Sequence, residues 1–329
     1  MIWENLELFN VEEIEESGDG IRLYRFPKNT IHQIGRSYFN RYVARMTTGC
    51  EIRFVGEAML TLAAIEEDGF VEIFRGDFYV EKHLLKKGER KSIHLKYDHH
   101  LDQFPLNGDL QYSKDVWRVL FAHDFCGALC NVDPYSTIRP PKKEELPSKV
   151  ILAYGSSITH GANANLFSAS YLARTGVLLH TQMLNKGMGG SCFCEKEMGD
   201  YIKTAECDGI MLELGVNMMG IYSAEEFYER ASYIVRCALS TGKKVALISP
   251  YLHSRDFSYH AEERQISVDY EQVCKKIALE HDDLIFIDGK KILSDITLLS
   301  ADLVHPSMFG HHVMAERLSE ELLAKGFLN

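Results

Sequence analysis

Val150-Ile151-Leu152-Ala153-Tyr154-Gly155-Ser156-Ser157-Ile158-Thr159 is the stretch whose reading decides the fold. Four consecutive apolar residues and a tyrosine read as a strand covered on both faces, as in a parallel sheet. Gly-Ser-Ser then ends that strand in a turn. Open α/β sheets gather their ligands at the carboxyl ends of strands, so Ser157 stands where chemistry is done. It has a partner near the other end of the chain, in Asp302-Leu303-Val304-His305 followed by Pro306. Serine, aspartate and histidine are the parts of a nucleophilic triad, which is defined by geometry rather than chain order.

Outward from this strand, elements alternate. Strands are expected at 150–154, 182–184, 209–214, 245–249 and 284–288. Helices are expected at 169–179, 224–241, 268–280 and 308–325. Ser223 suits an N-cap and Gly242 a helix stop. Met308, Val313, Met314, Leu318 and Leu322 share one face of the last helix. Such alternation predicts an α/β fold: a three-layer parallel sheet with helices on both faces.

Upstream the period is two. Ile21-Arg22-Leu23-Tyr24-Arg25-Phe26, Glu51-Ile52-Arg53-Phe54-Val55 and Gly69-Phe70-Val71-Glu72-Ile73-Phe74 alternate or cluster β-branched and aromatic residues between turn signals. Lys91–Tyr97 and Asp115–Phe121 continue the pattern. No long helical stripe is visible between residues 20 and 130. Residues 1–147 therefore read as a β-sandwich of jelly-roll type. Four of the eight prolines fall between Pro134 and Pro147. Proline fixes φ and removes a donor, so 134–147 reads as an extended linker. The division falls near residue 148, with 148–329 as the catalytic part and a separate hydrophobic core expected in each half.

The chain has 329 residues and a net charge of −11, from 36 basic and 47 acidic side chains. That balance argues against nucleic-acid and anionic-membrane partners. No apolar run reaches the roughly 18 residues of a membrane span. The acidic start Met1-Ile2-Trp3-Glu4-Asn5-Leu6-Glu7 lacks a signal pattern, so a cytoplasmic location is expected. A homo-oligomer is neither required nor excluded. The eight cysteines are scattered. Cys126-x3-Cys130 and Cys192-x-Cys194 have no second pair to complete a zinc site, so no metal is expected.

Two further strand ends supply donors. A serine nucleophile needs hydrogen bonds for the oxyanion formed on attack at a carbonyl. Asn185-Lys186-Gly187-Met188-Gly189-Gly190-Ser191 follows the second strand, and its glycines let a backbone N–H approach a ligand closely. Gly215-Val216-Asn217 follows the third, and the Asn217 amide can donate.

With these blocks in place, the chain resembles the SGNH/GDSL hydrolases over about residues 149–325. The resemblance assigns Ser157 as nucleophile and Asp302 and His305 as its triad partners. It makes Ser157, Gly190 and Asn217 the oxyanion hole, with Gly155 and Gly215 as flanking glycines. It implies no cofactor. Two positions depart from the family pattern: Ser156 replaces the usual aspartate before the nucleophile, and Met218 stands where aspartate often follows the asparagine. Neither is a reacting group, so different supporting hydrogen bonds are expected around unchanged chemistry. A sandwich ahead of such a hydrolase resembles the two-domain carbohydrate esterases. This implies a small acyl substrate, acetyl by preference, on a small molecule or oligosaccharide. A thioesterase or lysophospholipase would use the same residues. A carbohydrate-binding protein with a relict hydrolase half is the non-enzymatic alternative, and the intact Ser157, Asp302 and His305 argue against it.

Other residues near these blocks have plainer readings. His160 is either a substrate contact or the start of a loop. His253 reads as a solvated loop histidine. Asp98-His99-His100 and His311-His312 read as solvated surface, because adjacent histidines point in different directions. Cys192 and Cys194 lie near the glycine block, with no base evident for a cysteine nucleophile.

Overall fold

The computed structural model describes residues 1–328 except 19, 35, 36, 105 and 107–109. The upstream half holds two antiparallel sheets. One runs, in spatial order, Ile2–Trp3, Leu6–Phe9, Glu51–Val55, Val116–Phe121, Gly69–Arg75, Phe78–Leu85. The other runs Glu13–Ser17, Gly20–Tyr24, Gly127–Pro134, Ala58–Ala64, Arg90–Leu95. Period two is plain in Ala58–Ala64, where Ala58, Leu60, Leu62 and Ala64 are buried and the residues between them are not. They share one apolar core with Ile52, Phe54, Ile73 and Val119 of the facing sheet. Two sheets closed over one core make a sandwich.

Two helices interrupt this half, Lys28–Gln33 and Tyr38–Arg45. At six and eight residues they are too short to show a sustained helical stripe in the sequence. The proline-rich segment is extended, as its prolines require, but fastened to the sandwich. Arg139 forms a β-bridge with Val55, and its guanidinium grips both oxygens of Glu145 at 2.8 and 2.7 Å.

The downstream half is a five-stranded parallel sheet. Its spatial order is Thr181–Gly187, Lys149–Gly155, Gly209–Glu213, Lys244–Ile248, Leu284–Ile287. Successive residues serve opposite faces: Leu152, Tyr154, Ile210 and Leu212 join one core, and Ile151, Ala153 and Met211 the other. Helices Lys196–Thr204, Ala224–Leu239 and Ala261–Leu279 cover the first face. Tyr171–Leu178 and Met308–Ala324 cover the second. This is the three-layer α/β architecture expected from the alternation. The helix Lys196–Thr204 is an addition, and Ala261–Leu279 starts seven residues before its expected position.

The halves do not keep their cores apart. Phe26, Ile31, Ile34, Val43 and Met46 belong to the same buried cluster as Met188, Cys192, Met198 and Tyr201. The seam carries buried polar groups as well. Lys186, fully buried on the edge strand, pairs with Glu12 at 2.9 Å. Arg25 donates to the carbonyls of Val43, Met46 and Asn185. The two short helices thus supply much of the apolar contact between the halves, beside polar groups such as Glu12 and Arg25 that lie outside them.

Candidate active site

The site begins where the strand Lys149–Gly155 stops. A Cβ on Gly155 would lie 2.3 Å from Thr159 Oγ1 and 2.7 Å from a Glu213 carboxylate oxygen, so only glycine fits. Ser156 caps the one-turn helix Ser157–His160, its hydroxyl accepting from the Ile158 N–H at 3.1 Å. The Ser156 N–H and hydroxyl both donate to Glu213 Oε2, at 2.7 and 2.6 Å, and Thr159 adds a third bond at 3.1 Å. Burial raises the Glu213 pKa, and these donors hold it back. The unusual Ser156 thus works with Glu213, a lone carboxylate in an apolar strand, to tie the turn down.

That turn presents Ser157. Its Oγ lies 2.7 Å from His305 Nε2, and His305 Nδ1 lies 2.8 Å from Asp302 Oδ2. A carboxylate only accepts, so Nδ1 carries the proton and Nε2 is the acceptor for the serine hydroxyl. Asp302 Oδ1 accepts the N–H groups of Val304 and His305, each at 2.9 Å. The Asn163 amide adds a bond to Oδ2 at 3.2 Å. Burial pushes the Asp302 carboxyl up, but the hydrogen bonds from the His305 ring and the two N–H groups prevail and hold it at about 2. The loop is anchored by Ser254 N–H to Leu303 O at 2.6 Å, with Leu303 itself at φ 55°.

Ser157, Gly190, Asn217 and His305 line one open cleft of about 510 Å³ at the carboxyl end of the sheet. Gly190 has φ 63°, and a Cβ there would approach the Phe39 ring at 3.3 Å. The N–H groups of Ser157 and Gly190 are not used by any backbone or side-chain acceptor among the described residues. Asn217 Oδ1 accepts from the Cys192 N–H at 3.2 Å, which fixes the amide and leaves its NH₂ group for the cleft.

Three histidines differ from their sequence readings. His253 lines the cleft and is buried, not solvated. Its Nδ1 lies 2.9 Å from the Tyr251 carbonyl and 3.2 Å from Asp256, and its Nε2 faces Met219 Sδ at 3.1 Å. His311 is also buried, against the expected solvated surface. It accepts from the Tyr171 N–H at 3.1 Å and donates to the Ala162 carbonyl at 2.9 Å. Its neighbour His312 remains exposed. His160 meets neither of its alternatives. It is buried under the glycine block, with Nε2 2.6 Å from Thr48 Oγ1 and 3.5 Å from Arg25. Burial first, then Arg25, keeps its pKa well below the usual histidine value. Asn163, Glu213 and Phe39 escaped sequence reasoning. Only Glu213 left a signal, as the one acid inside its apolar run.

Comparison with known proteins agrees with this layout. The GDSL-like lipase/acylhydrolase family model matches residues 148–323, more than half of the chain. No curated protein matches by sequence. Among solved structures, the salicylyl-acyltransferase SsfX3 of a tetracycline biosynthetic pathway is similar, with TM-score 0.81 and 17% identity over 98% of this chain and 96% of that one. A family two carbohydrate esterase from Clostridium thermocellum, in complex with cellohexaose, aligns with TM-score 0.62 and 13% identity over 97% and 99% of the two chains. An acetyl xylan esterase from the rumen bacterium Butyrivibrio proteoclasticus aligns with TM-score 0.57 and 12% identity over 89% and 94%. Identities this low speak for shared architecture, sandwich included. The family match over residues 148–323 speaks for shared descent of the half that carries Ser157: the chain belongs to the GDSL-like lipase/acylhydrolase family, the SGNH hydrolases, and is a serine ester hydrolase.

Proposed function

We propose that the protein hydrolyses small acyl esters, acetyl by preference, carried on a carbohydrate, with Ser157 as nucleophile. The observation that carries this reading is the unbroken series Ser157 Oγ, His305 and Asp302 at 2.7 and 2.8 Å. His305 Nε2 takes the hydroxyl proton as Oγ bonds to the ester carbonyl carbon. Asp302 orients the imidazole and stabilises its charged form. The N–H groups of Ser157 and Gly190 and the Asn217 amide receive the developing oxyanion. The tetrahedral intermediate collapses to an acyl-serine as the imidazolium passes its proton to the departing alcohol. Water, deprotonated by the same His305, then attacks the acyl-serine. A second collapse frees the acid and returns the proton to Ser157.

The openness of the cleft supports a preference for a small acyl group. Polar groups such as His253, Ser254, Arg255 and Glu263 line the cleft beside Ser157. A long acyl chain would find no enclosed apolar channel among these residues. The carbohydrate assignment draws on the architectural likeness to the carbohydrate esterase bound to cellohexaose and to the acetyl xylan esterase. In this reading every reacting group lies beyond residue 148. The sandwich brings Phe39 to the cleft edge beside Gly190, where it can meet the alcohol part of the substrate.

The test is a pair of measurements on the wild type and on Ser157→Ala. The first compares p-nitrophenyl acetate, butyrate and octanoate. The second follows acetate release from a panel of acetylated mono- and oligosaccharides. The reading expects kcat/KM to fall with acyl length, acetate release from at least one saccharide, and no turnover by Ser157→Ala. Preference for octanoate, or inertness on every saccharide, would reject the substrate assignment and leave the serine chemistry standing.

A further inference from the structure

We infer that the seam between the sandwich and the α/β half is a second binding site, for a small molecule with an apolar body and a single carboxylate. A cavity of about 360 Å³ lies there, within the size range of small-molecule pockets and at a domain interface, a common place for them. It shares no lining residue with the cleft that holds Ser157. Both halves build it. Phe74, Tyr112 and Leu120 come from the sandwich, and Phe167, Leu172 and Met183 from the other half.

The walls are fixed by bonds that cross the seam. Glu72 of the sandwich accepts from the Phe167 and Ser168 N–H groups, at 2.5 and 3.4 Å, and from the Ser168 hydroxyl at 2.5 Å. Gln111 donates to the carbonyls of Gly176 and Thr181 at 3.0 and 2.8 Å. An apolar space held open in this way is preformed for a ligand.

The charges within it decide the ligand's polar end. Arg118 is engaged, with Nε and Nη2 both on Glu51 at 2.9 and 2.8 Å, and its guanidinium lies over the Tyr112 ring at 3.8 Å. Asp77 accepts from the Gln111 and Tyr112 N–H groups. Arg174, on the helix Tyr171–Leu178, is different. It is one of the residues lining the cavity, is half-buried, and its side chain makes no hydrogen bond, ion pair or ring contact with any described residue. In a chain of net charge −11, a guanidinium with no partner among the described residues, beside an aromatic cavity, matches a carboxylate, which it can bind through two parallel N–H donors.

The experiment uses the full chain with ¹³C-labelled methionine methyls. Met183 reports on the seam and Met219 on the cleft. The probes are benzoate, 3-phenylpropionate and octanoate, each beside its neutral amide. At least one carboxylate should shift the Met183 methyl saturably, leave Met219 unmoved, and bind at least about tenfold more tightly than its amide. Arg174→Ala should bring the carboxylate down to the affinity of the amide. Ala173→Phe, which fills the cavity, should abolish the shift while p-nitrophenyl acetate hydrolysis continues. The proposal is overturned if no carboxylate shifts Met183 at millimolar concentration, if only Met219 responds, or if Arg174→Ala leaves the preference for carboxylate intact.

Discussion

Single residues divide into those that react and those that hold them. Asn217 is expected to donate to the oxyanion, since its oxygen is held by the Cys192 N–H and its NH₂ group is left for the cleft. Asn217→Ala should therefore lower kcat about 10²–10³-fold with a smaller change in KM, the usual effect of losing one oxyanion donor. An unchanged kcat would make Asn217 a turn former. Asp302 carries a pH signature. Its carboxyl is held at about 2 in the folded chain against an ordinary 3.8. A depressed folded pKa gives stability that is complete above pH 4 and is lost as pH falls towards 2. Asp302→Asn should flatten that part of the acid-unfolding curve, and an unaltered curve would mean that the Asp302–His305 bond is absent in solution. The residues of the candidate triad and oxyanion hole were legible in the sequence because Ser157, Gly190 and Asn217 follow strand ends, Asp302 and His305 stand just before the last helix, and the chemistry restricts their types. Asn163 and Phe39 were not, because an ordinary loop asparagine and an ordinary helix phenylalanine acquire roles only through neighbours far along the chain. His253 and His311 were misread for the same reason. A histidine on a loop or helix looks solvated until the elements that cover it are known.

At the scale of elements, the parallel strands could be read to within a few residues, since near-continuous apolar runs leave little choice. The strand Thr181–Gly187 was under-read. Asn185 and Lys186 look like loop residues, yet both are buried: Asn10 and Glu12 of the sandwich bond the Asn185 carbonyl and the Lys186 ammonium, while the Asn185 amide is held by Thr159 and Gly187. The sandwich strands contain a comparable case. Glu51 is buried in the strand Glu51–Val55, where Arg53 and Arg118 donate to it at 2.7–2.9 Å. Burial raises its pKa, but the two guanidinium groups win and hold it at about 2. Glu51→Gln would leave the half-buried Arg118 without its anion and the buried Arg53 with only Glu7, at 3.4 Å, and breaking such a group costs up to about 3–5 kcal/mol. Urea unfolding followed by near-ultraviolet circular dichroism should show that loss. A midpoint equal to wild type would mean that the cluster is hydrated in solution.

At the scale of the molecule, proline content marks the connector correctly as extended but says nothing of what crosses it. The clusters around Ile31, Val43 and Met198, the Lys186–Glu12 pair and the Thr48–His160 bond all join residues on opposite sides of position 148. A fragment of residues 146–329 would expose that apolar surface and strip Lys186 of Glu12 and the Arg25 carbonyl. It should aggregate, or fold poorly and lose even p-nitrophenyl acetate hydrolysis, whereas the separate cores expected from the sequence would leave it folded. A monomeric, cooperatively unfolding, active fragment would show that the seam is dispensable. The His160 link narrows the reason. His160 lies behind the glycine block, with its Nδ1 3.1 Å from where a Gly189 Cβ would stand. The sandwich, through Thr48, thereby supports the loop that offers the Gly190 N–H.

All of this rests on Ser157 being the atom that attacks. The most direct measurement is peptide mapping by mass spectrometry after reaction with a fluorophosphonate, run in parallel with loss of p-nitrophenyl acetate hydrolysis. One phosphonyl group on Ser157, appearing at the rate at which activity disappears, with none taken up by Ser157→Ala or by His305→Ala, is the expected result. Full inactivation with the label on another residue, or undiminished hydrolysis by Ser157→Ala, would contradict it.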